Sequence, residues 1–112
     1  MIDKALVAAS AKPIILSILT GREDYGYQII QRVKYLSGGE LKWSDKMLYP
    51  VLHRLEKEGF LLSRWKISGE GRLRRYYRIT EKGRKELEVE RRQWRHVGQA
   101  LAKLWKPMPS LD

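Results

Sequence analysis

Apolar residues recur at helical spacing in three stretches of the first half of the chain. From Leu6 to Leu19 they are dense and separated by small residues, which predicts a well-buried helix that Pro13 either starts or kinks. A second set runs from Ile29 to Leu36, and the two glycines that follow allow the left-handed backbone that ends a helix. The polar residues between the two stretches predict a break.

The third stripe consists of Leu48, Val51, Leu52 and Leu55. Ser44 is a good N-cap, because its hydroxyl accepts from the free amides of the next turn. The pattern therefore predicts a helix from about Asp45 to Glu58.

The pattern then changes to that of two strands, residues 60–68 and 73–80. In the first strand Trp65 and Ile67 alternate with Arg64 and Lys66. Ser68-Gly69-Glu70-Gly71-Arg72 lies between the strands, and its two glycines allow the tip of a hairpin.

A long helix is predicted from Thr80 to about Trp105, ending before Pro107. Its apolar residues follow a pattern close to a heptad, which is typical of helices that pair with another helix. The residues of this seam are Leu87, Trp94, Val97, Leu101 and Leu104.

The predicted order is three helices, a two-stranded hairpin and a long helix. This order predicts a mainly α, α+β fold, the winged helix-turn-helix, with a long C-terminal dimerisation helix. We divide the chain into a winged-helix DNA-binding domain at residues 1–80, a dimerisation helix at 81–105 and a tail at 106–112.

Charge indicates the kind of partner. The 112 residues include 23 Lys and Arg against 13 Asp and Glu, which gives a net charge of +10. Such an excess in a short chain favours nucleic acid as partner, ahead of an anionic membrane surface. Charge alone also leaves open a basic protein without any polyanionic partner.

If the third helix buries its apolar stripe, its opposite face is the candidate for the major groove. Lysine and arginine donate to guanine edges or phosphates, while tyrosine and histidine contact phosphates or bases. The candidates on and at the head of this helix are Ser44, Lys46, Tyr49, Pro50, His53, Arg54 and Lys57.

The hairpin carries further cations close to its glycine tip. Arg72, Arg74 and Arg75 follow the tip, and Arg64 and Lys66 lie on the partner strand. We expect Arg72 and Arg74 to grip the DNA backbone or to reach into the minor groove beside the third helix.

The last helix contains two tryptophans, Trp94 and Trp105. A monomer of this size has too little core to bury both of them. The seam is therefore expected to pack against the same seam, or against the first helix near Leu6, of a second copy. A homodimer suits an inverted-repeat operator. Trp94 is alternatively a wall of a pocket for an aromatic or hydrophobic effector.

No set of residues supports catalysis. His53 and His96 lie in different predicted helices, and no nucleotide-binding loop or Ser-His spacing is present. We expect a protein that is not an enzyme and that has neither a cofactor nor a metal site. Two other functions stay open: a module that binds RNA or a protein, and a small-molecule-binding protein.

The chain has no cysteine, which fits a cytoplasmic protein. Lys12 and Pro13 interrupt the N-terminal apolar run, so we expect no signal peptide, and no stretch of ~20 apolar residues could span a bilayer. We therefore expect a cytoplasmic protein that does not bind a membrane.

Three segments resemble the PadR family of transcriptional regulators. They are Ile14 to Gly21 with the following Tyr25-Gly26-Tyr27-Gln28-Ile29, then Met47 to Phe60, and finally Gly71 to Gly83. The resemblance covers about residues 12–105, and Met47 to Phe60 is its most diagnostic part.

This resemblance implies a winged-helix dimer that represses promoters and releases DNA on binding a small molecule. It places Tyr27, Lys46, Tyr49, Pro50 and the wing arginines at the DNA, and Trp94 at the dimer centre. The single C-terminal helix is similar to that of the family's short class.

Overall fold

Four helices and a three-stranded antiparallel sheet make up residues 2–106, the part of the chain that the computed structural model describes. The helices are α1 (Lys4–Ile18), α2 (Gly26–Leu36), α3 (Asp45–Lys57) and α4 (Glu81–Trp105), and the strands are β1 (Asp24–Tyr25), β2 (Leu61–Ile67) and β3 (Leu73–Ile79). The predicted α+β winged helix is confirmed. The predicted tail lies outside the described residues from position 107 onward.

Helix α1 begins before the apolar pattern does. The Asp3 carboxylate caps the helix by accepting a hydrogen bond from the backbone N–H of Ala5 at 2.7 Å. Pro13 therefore lies inside the helix and does not start it.

The core forms where the first three helices meet the base of the sheet. The apolar stripe of α3 faces this core together with Ile29 and Val33 of α2, and Ile30 and Val51 pack at its edge. Leu36, the last residue of the predicted α2 stripe, is exposed instead. The largest fully buried side chains are Ile15, Leu16, Leu19, Ile29, Val33, Leu48, Leu52, Leu55, Leu61 and Tyr77.

A short third strand forms within the segment predicted as a polar break. Asp24 and Tyr25 pair with Tyr77 and Tyr76 of β3, which gives the strand order β1-β3-β2. The buried Asp24 carboxylate accepts hydrogen bonds from the Tyr25 N–H at 3.0 Å and from Arg32 at 3.3 Å. Two residues are too few for an alternating pattern, so the pattern predicted only the two-stranded hairpin.

Helix α4 begins in direct contact with the base of the hairpin. The Thr80 hydroxyl caps it, accepting a hydrogen bond from the N–H of Gly83 at 3.0 Å. A β-carbon at Gly83 would lie 2.3 Å from the backbone oxygen of Phe60 and 2.8 Å from Ile79. Gly83 thus sets how closely α4 approaches the sheet.

The second half of helix α4 extends away from the core. Lys12 of α1 pairs with Glu86 and, at 3.8 Å, with Glu90. From position 91 to position 100 every residue is exposed.

Within residues 2–106, no helix has both the length and the apolar character needed to cross a bilayer.

We expect Gly83→Ala to lower the free energy of unfolding by about 1–3 kcal/mol, because the added methyl meets backbone that cannot move aside. Urea denaturation followed by circular dichroism measures this difference. Gly21→Ala is the matched control, since a β-carbon at Gly21 meets nothing within 4 Å. Equal losses in the two variants would show that the α4 contact is not the cause.

Candidate nucleic-acid interface

Helix α3 turns its polar face away from the core. Ser44 caps the helix, its hydroxyl accepting a hydrogen bond from the N–H of Met47 at 3.2 Å. Burial of the apolar stripe leaves the opposite face open to solvent. The exposed residues on this face are Lys46, Tyr49, Pro50, His53, Arg54 and Lys57, and Ser44 is exposed at its head.

Tyr49 reaches from α3 to the start of α2. A β-carbon at Gly26 would lie 2.6 Å from the Tyr49 hydroxyl, so glycine leaves the room that this side chain occupies. The Tyr49 ring also lies beside His53, with ring centroids 6.5 Å apart. Tyr27 follows Gly26 and is exposed. The first turn of α2 and the outward face of α3 therefore meet at Tyr49.

Glu56 joins α3 to the wing, the hairpin of β2 and β3. Its carboxylate accepts hydrogen bonds from Ser63 at 2.5 Å and from Arg75 at 2.9 Å. Arg75 also donates to the Ser63 hydroxyl at 2.9 Å, which closes a network of three side chains. Arg75 is thus engaged in holding the wing against the helix.

The two wing arginines predicted to contact DNA differ in their surroundings. Arg74 lies over the Tyr25 ring, 4.4 Å from its centroid, and its guanidinium is 3.5 Å from the Glu70 carboxylate. Arg72 is exposed at the wing tip and forms no ion pair with another residue in 2–106. Arg72 therefore presents the more accessible charge.

Glu23 holds two further wing cations. It accepts hydrogen bonds from Arg64 at 2.7 Å and from Lys66 at 2.6 Å. These hydrogen bonds lower the pKa of the Glu23 carboxyl to about 2. Sequence reasoning missed this pairing because the partners are 41 and 43 positions apart.

An apolar strip runs along the exposed part of α4. This α4 seam consists of Trp94, Val97, Leu101, Leu104 and Trp105, of which Leu101 is half-buried and the others are exposed. Leu6 of α1 is exposed as well. Leu87, predicted to belong to the same seam, lies in the core with only 5% of its surface exposed. Its own chain covers it, so the seam open to a partner begins after Leu87.

Trp94 also forms one wall of a cavity of about 520 Å³ against α1 and α2. The cavity is mostly apolar, and its other apolar walls are Pro13, Ile14, Ile18, Val33, Leu36 and Leu41. The Trp94 indole N–H donates to Glu90 at 3.4 Å. Trp94 thus lies both on the seam and at the cavity.

The arrangement of α2, α3 and the wing defines the winged-helix class, in which the second helix of the pair presents side chains to a DNA groove. The family model for the transcriptional regulator PadR-like family matches residues 15–89. The transcriptional regulator Rv3488 of Mycobacterium tuberculosis is 38% identical over 84 residues, which are 75% of this chain and 75% of that protein.

Two solved structures are similar along nearly the whole chain. A PadR-like transcriptional regulator of Bacillus cereus superposes with a TM-score of 0.82 at 28% identity, covering 94% of this chain and 100% of that one. A transcriptional regulator of Clostridium thermocellum also has a TM-score of 0.82, at 27% identity, with 92% and 100% covered.

The chain therefore belongs to the PadR-like family of transcriptional regulators, and the resemblance predicted from its sequence is confirmed. Membership implies regulation through DNA binding. The family consists of regulators and not of enzymes, so the prediction that the chain is not an enzyme is confirmed too.

We expect Glu23→Gln to lower the free energy of unfolding at pH 7 by about 1 kcal/mol, a magnitude limited by the exposure of Arg64. Folding lowers the pKa of Glu23 from 4.5 to about 2, so the native state stabilises the ionised form. This contribution is complete above pH 4.5 and is lost as the pH falls towards 2. Urea denaturation of both proteins at several pH values measures the difference.

Glu40→Gln is the control, because Glu40 is exposed and forms no ion pair with a residue in 2–106. It should change stability little at any pH. A Glu23→Gln loss that persists undiminished near pH 2 would contradict the ionic origin of the effect.

Proposed function

We propose that the protein is a cytoplasmic, dimeric repressor that binds an inverted-repeat operator in double-stranded DNA and that a hydrophobic or aromatic small molecule releases it. The observation that carries this proposal is the exposed basic face of α3 between the α2 N-terminus and a cationic wing. Membership of a family of transcriptional regulators supports DNA as the partner.

The chemistry of the α3 face suits a duplex. Lys46, Arg54 and Lys57 are exposed and are long enough to reach phosphates or guanine edges. Tyr49 and His53 lie between them and bring hydrogen-bonding groups and ring faces to the same surface. Arg72 adds a cation at the wing tip, where the neighbouring groove or the backbone lies in a winged-helix complex.

The α4 seam supports a homodimer. Exposure of large apolar side chains to water is unfavourable, and burial against a partner removes this cost. Two seams that pack together bury these side chains on both copies, and the resulting two-fold axis presents two α3 helices to two half-sites.

The cavity beside Trp94 supports an effector. Its volume of about 520 Å³ and its mostly apolar walls suit a small hydrophobic molecule. Because Trp94 belongs to both the cavity and the seam, a ligand that binds there favours one packing of α4 over another. The separation of the two α3 helices in the dimer then changes, and affinity for the operator falls.

Selection of genomic fragments at moderate salt tests the proposal, and we expect sites with a two-fold symmetric motif. On such a site, Tyr49→Ala and Arg54→Ala should each weaken binding about tenfold, the loss of ~1.4 kcal/mol typical of one base contact. Fluorescence anisotropy with labelled duplex measures the change.

Arg92→Ala provides the control, since it removes the same positive charge from an exposed position on α4. Wild-type affinity in both α3 variants would mean that another face enters the groove. Recovery of unrelated fragments by the wild-type protein would favour one of two other functions. The protein would then bind nucleic acid without sequence preference, or it would bind a protein partner.

Trp94→Ala should weaken the dimer about tenfold or more, because a buried tryptophan is a common hot spot of interfaces. Sedimentation velocity across a range of concentrations measures dimer affinity. Titration with aromatic cations then tests whether the variant still responds to effectors.

His96→Ala is the matched control, because His96 is exposed two positions further along the same helix and lies away from the seam. A Trp94→Ala protein with a normal dimer and a normal response would remove Trp94 from both roles.

A further inference from the structure

The pairing register of the wing places its large apolar side chains on one face. Ser63 lies opposite Tyr77, Trp65 opposite Arg75, and Ile67 opposite Leu73. Directly opposed residues of antiparallel strands share a face of the sheet. Ser63 and Arg75 both bind Glu56 of α3, so this is the face that looks towards helix α3.

Helix α3 covers only the base of this face. Near the base Leu61 and Tyr77 are fully buried, whereas Trp65, Ile67 and Leu73 further out are 62%, 63% and 62% exposed. We call these three side chains the wing patch. Adjacent exposed apolar side chains of this size mark a surface that binds a partner.

The wing patch borders a cleft of about 370 Å³ between α3 and the wing. Trp65, Leu73 and Arg74 line the wing side, and Tyr49 and His53 line the helix side. Tyr77 also lines the cleft, and its buried hydroxyl has no hydrogen-bond partner among the described residues. The cleft therefore combines an apolar wall with two arginines, Arg74 and Arg75, which Glu70 and Glu56 hold in ion pairs.

Charge distinguishes between the occupants of this cleft. A second copy of the chain carries +10 as well, so it would bring like charge to a cleft that borders the exposed basic face of α3. A nucleic acid strand matches the cleft better, because its phosphates are anionic while its deoxyribose rings offer apolar faces.

We propose that one sugar–phosphate strand of the operator lies in this cleft, with Trp65 and Leu73 packed against its deoxyribose rings. The inference rests on the proposed function. When α3 lies in the major groove and the wing reaches the adjacent minor groove, the strand that separates the two grooves passes between them. Ile67 continues the apolar contact towards the tip, where Arg72 meets a phosphate.

The test compares the binding of Trp65→Ala and wild-type protein to two labelled duplexes, the selected operator and an unrelated sequence. Trp65→Ala should weaken binding to both about tenfold, because sugars are the same in every sequence. The dependence of affinity on salt should stay unchanged, since an apolar contact releases no counterions, whereas Arg72→Ala should lower the salt slope by about one.

Two further variants sharpen the comparison. Leu62→Ala is the control, because Leu62 is exposed on the opposite face of the same strand. This variant should bind both duplexes as the wild-type protein does. Trp65→Phe keeps most of the apolar surface and should recover most of the affinity. Circular dichroism establishes that each variant is folded.

Wild-type affinity in Trp65→Ala would overturn the inference while leaving the proposed function intact. Loss of the dimer in Trp65→Ala, seen by sedimentation, would overturn it as well and assign the wing patch to a contact between copies. If the wild-type protein binds neither duplex, the proposed function fails, and this inference fails with it.

Discussion

The hydrogen-bonded network of Glu56, Ser63 and Arg75 fixes the angle between helix α3 and the wing. These two elements carry the candidate DNA contacts, and they act together only if their separation matches that of neighbouring grooves. Burial of the α3 stripe holds the helix on the core, while the network holds the hairpin beyond it. A network of charge-assisted hydrogen bonds suits this task because such bonds are directional.

Carboxylates of the chain shape the charge of the interface. Glu23 and Glu70 form ion pairs with wing cations and neutralise part of the charge of the wing. The net charge of +10 is therefore distributed unevenly over the surface of the protein. The accessible cations on the proposed DNA side are those of α3 together with Arg72. Trp94 lies both on the α4 seam and at the wall of the cavity.

Much of the architecture could be predicted because periodicity is a local property. The apolar stripe of α3, its Ser44 cap and strand β2 each depend on neighbours within a few residues, and the structure contains all three. Strand β1 could not be predicted, because its two residues become a strand only by pairing with β3. Leu87 has the spacing of the seam, yet the turn of α4 that carries it packs on the core.

By itself, the sequence determined the order of the four helices and the hairpin, the face of α3 that meets the core and the excess of positive charge. Local hydrogen bonds and apolar periodicity set these features, and composition sets the charge. Only the tertiary structure decided which wing cations Glu23 and Glu56 hold, and that no residue of 2–106 covers the wing patch. These outcomes depend on distances between residues far apart in the chain, which arise only when the sheet packs on the helices.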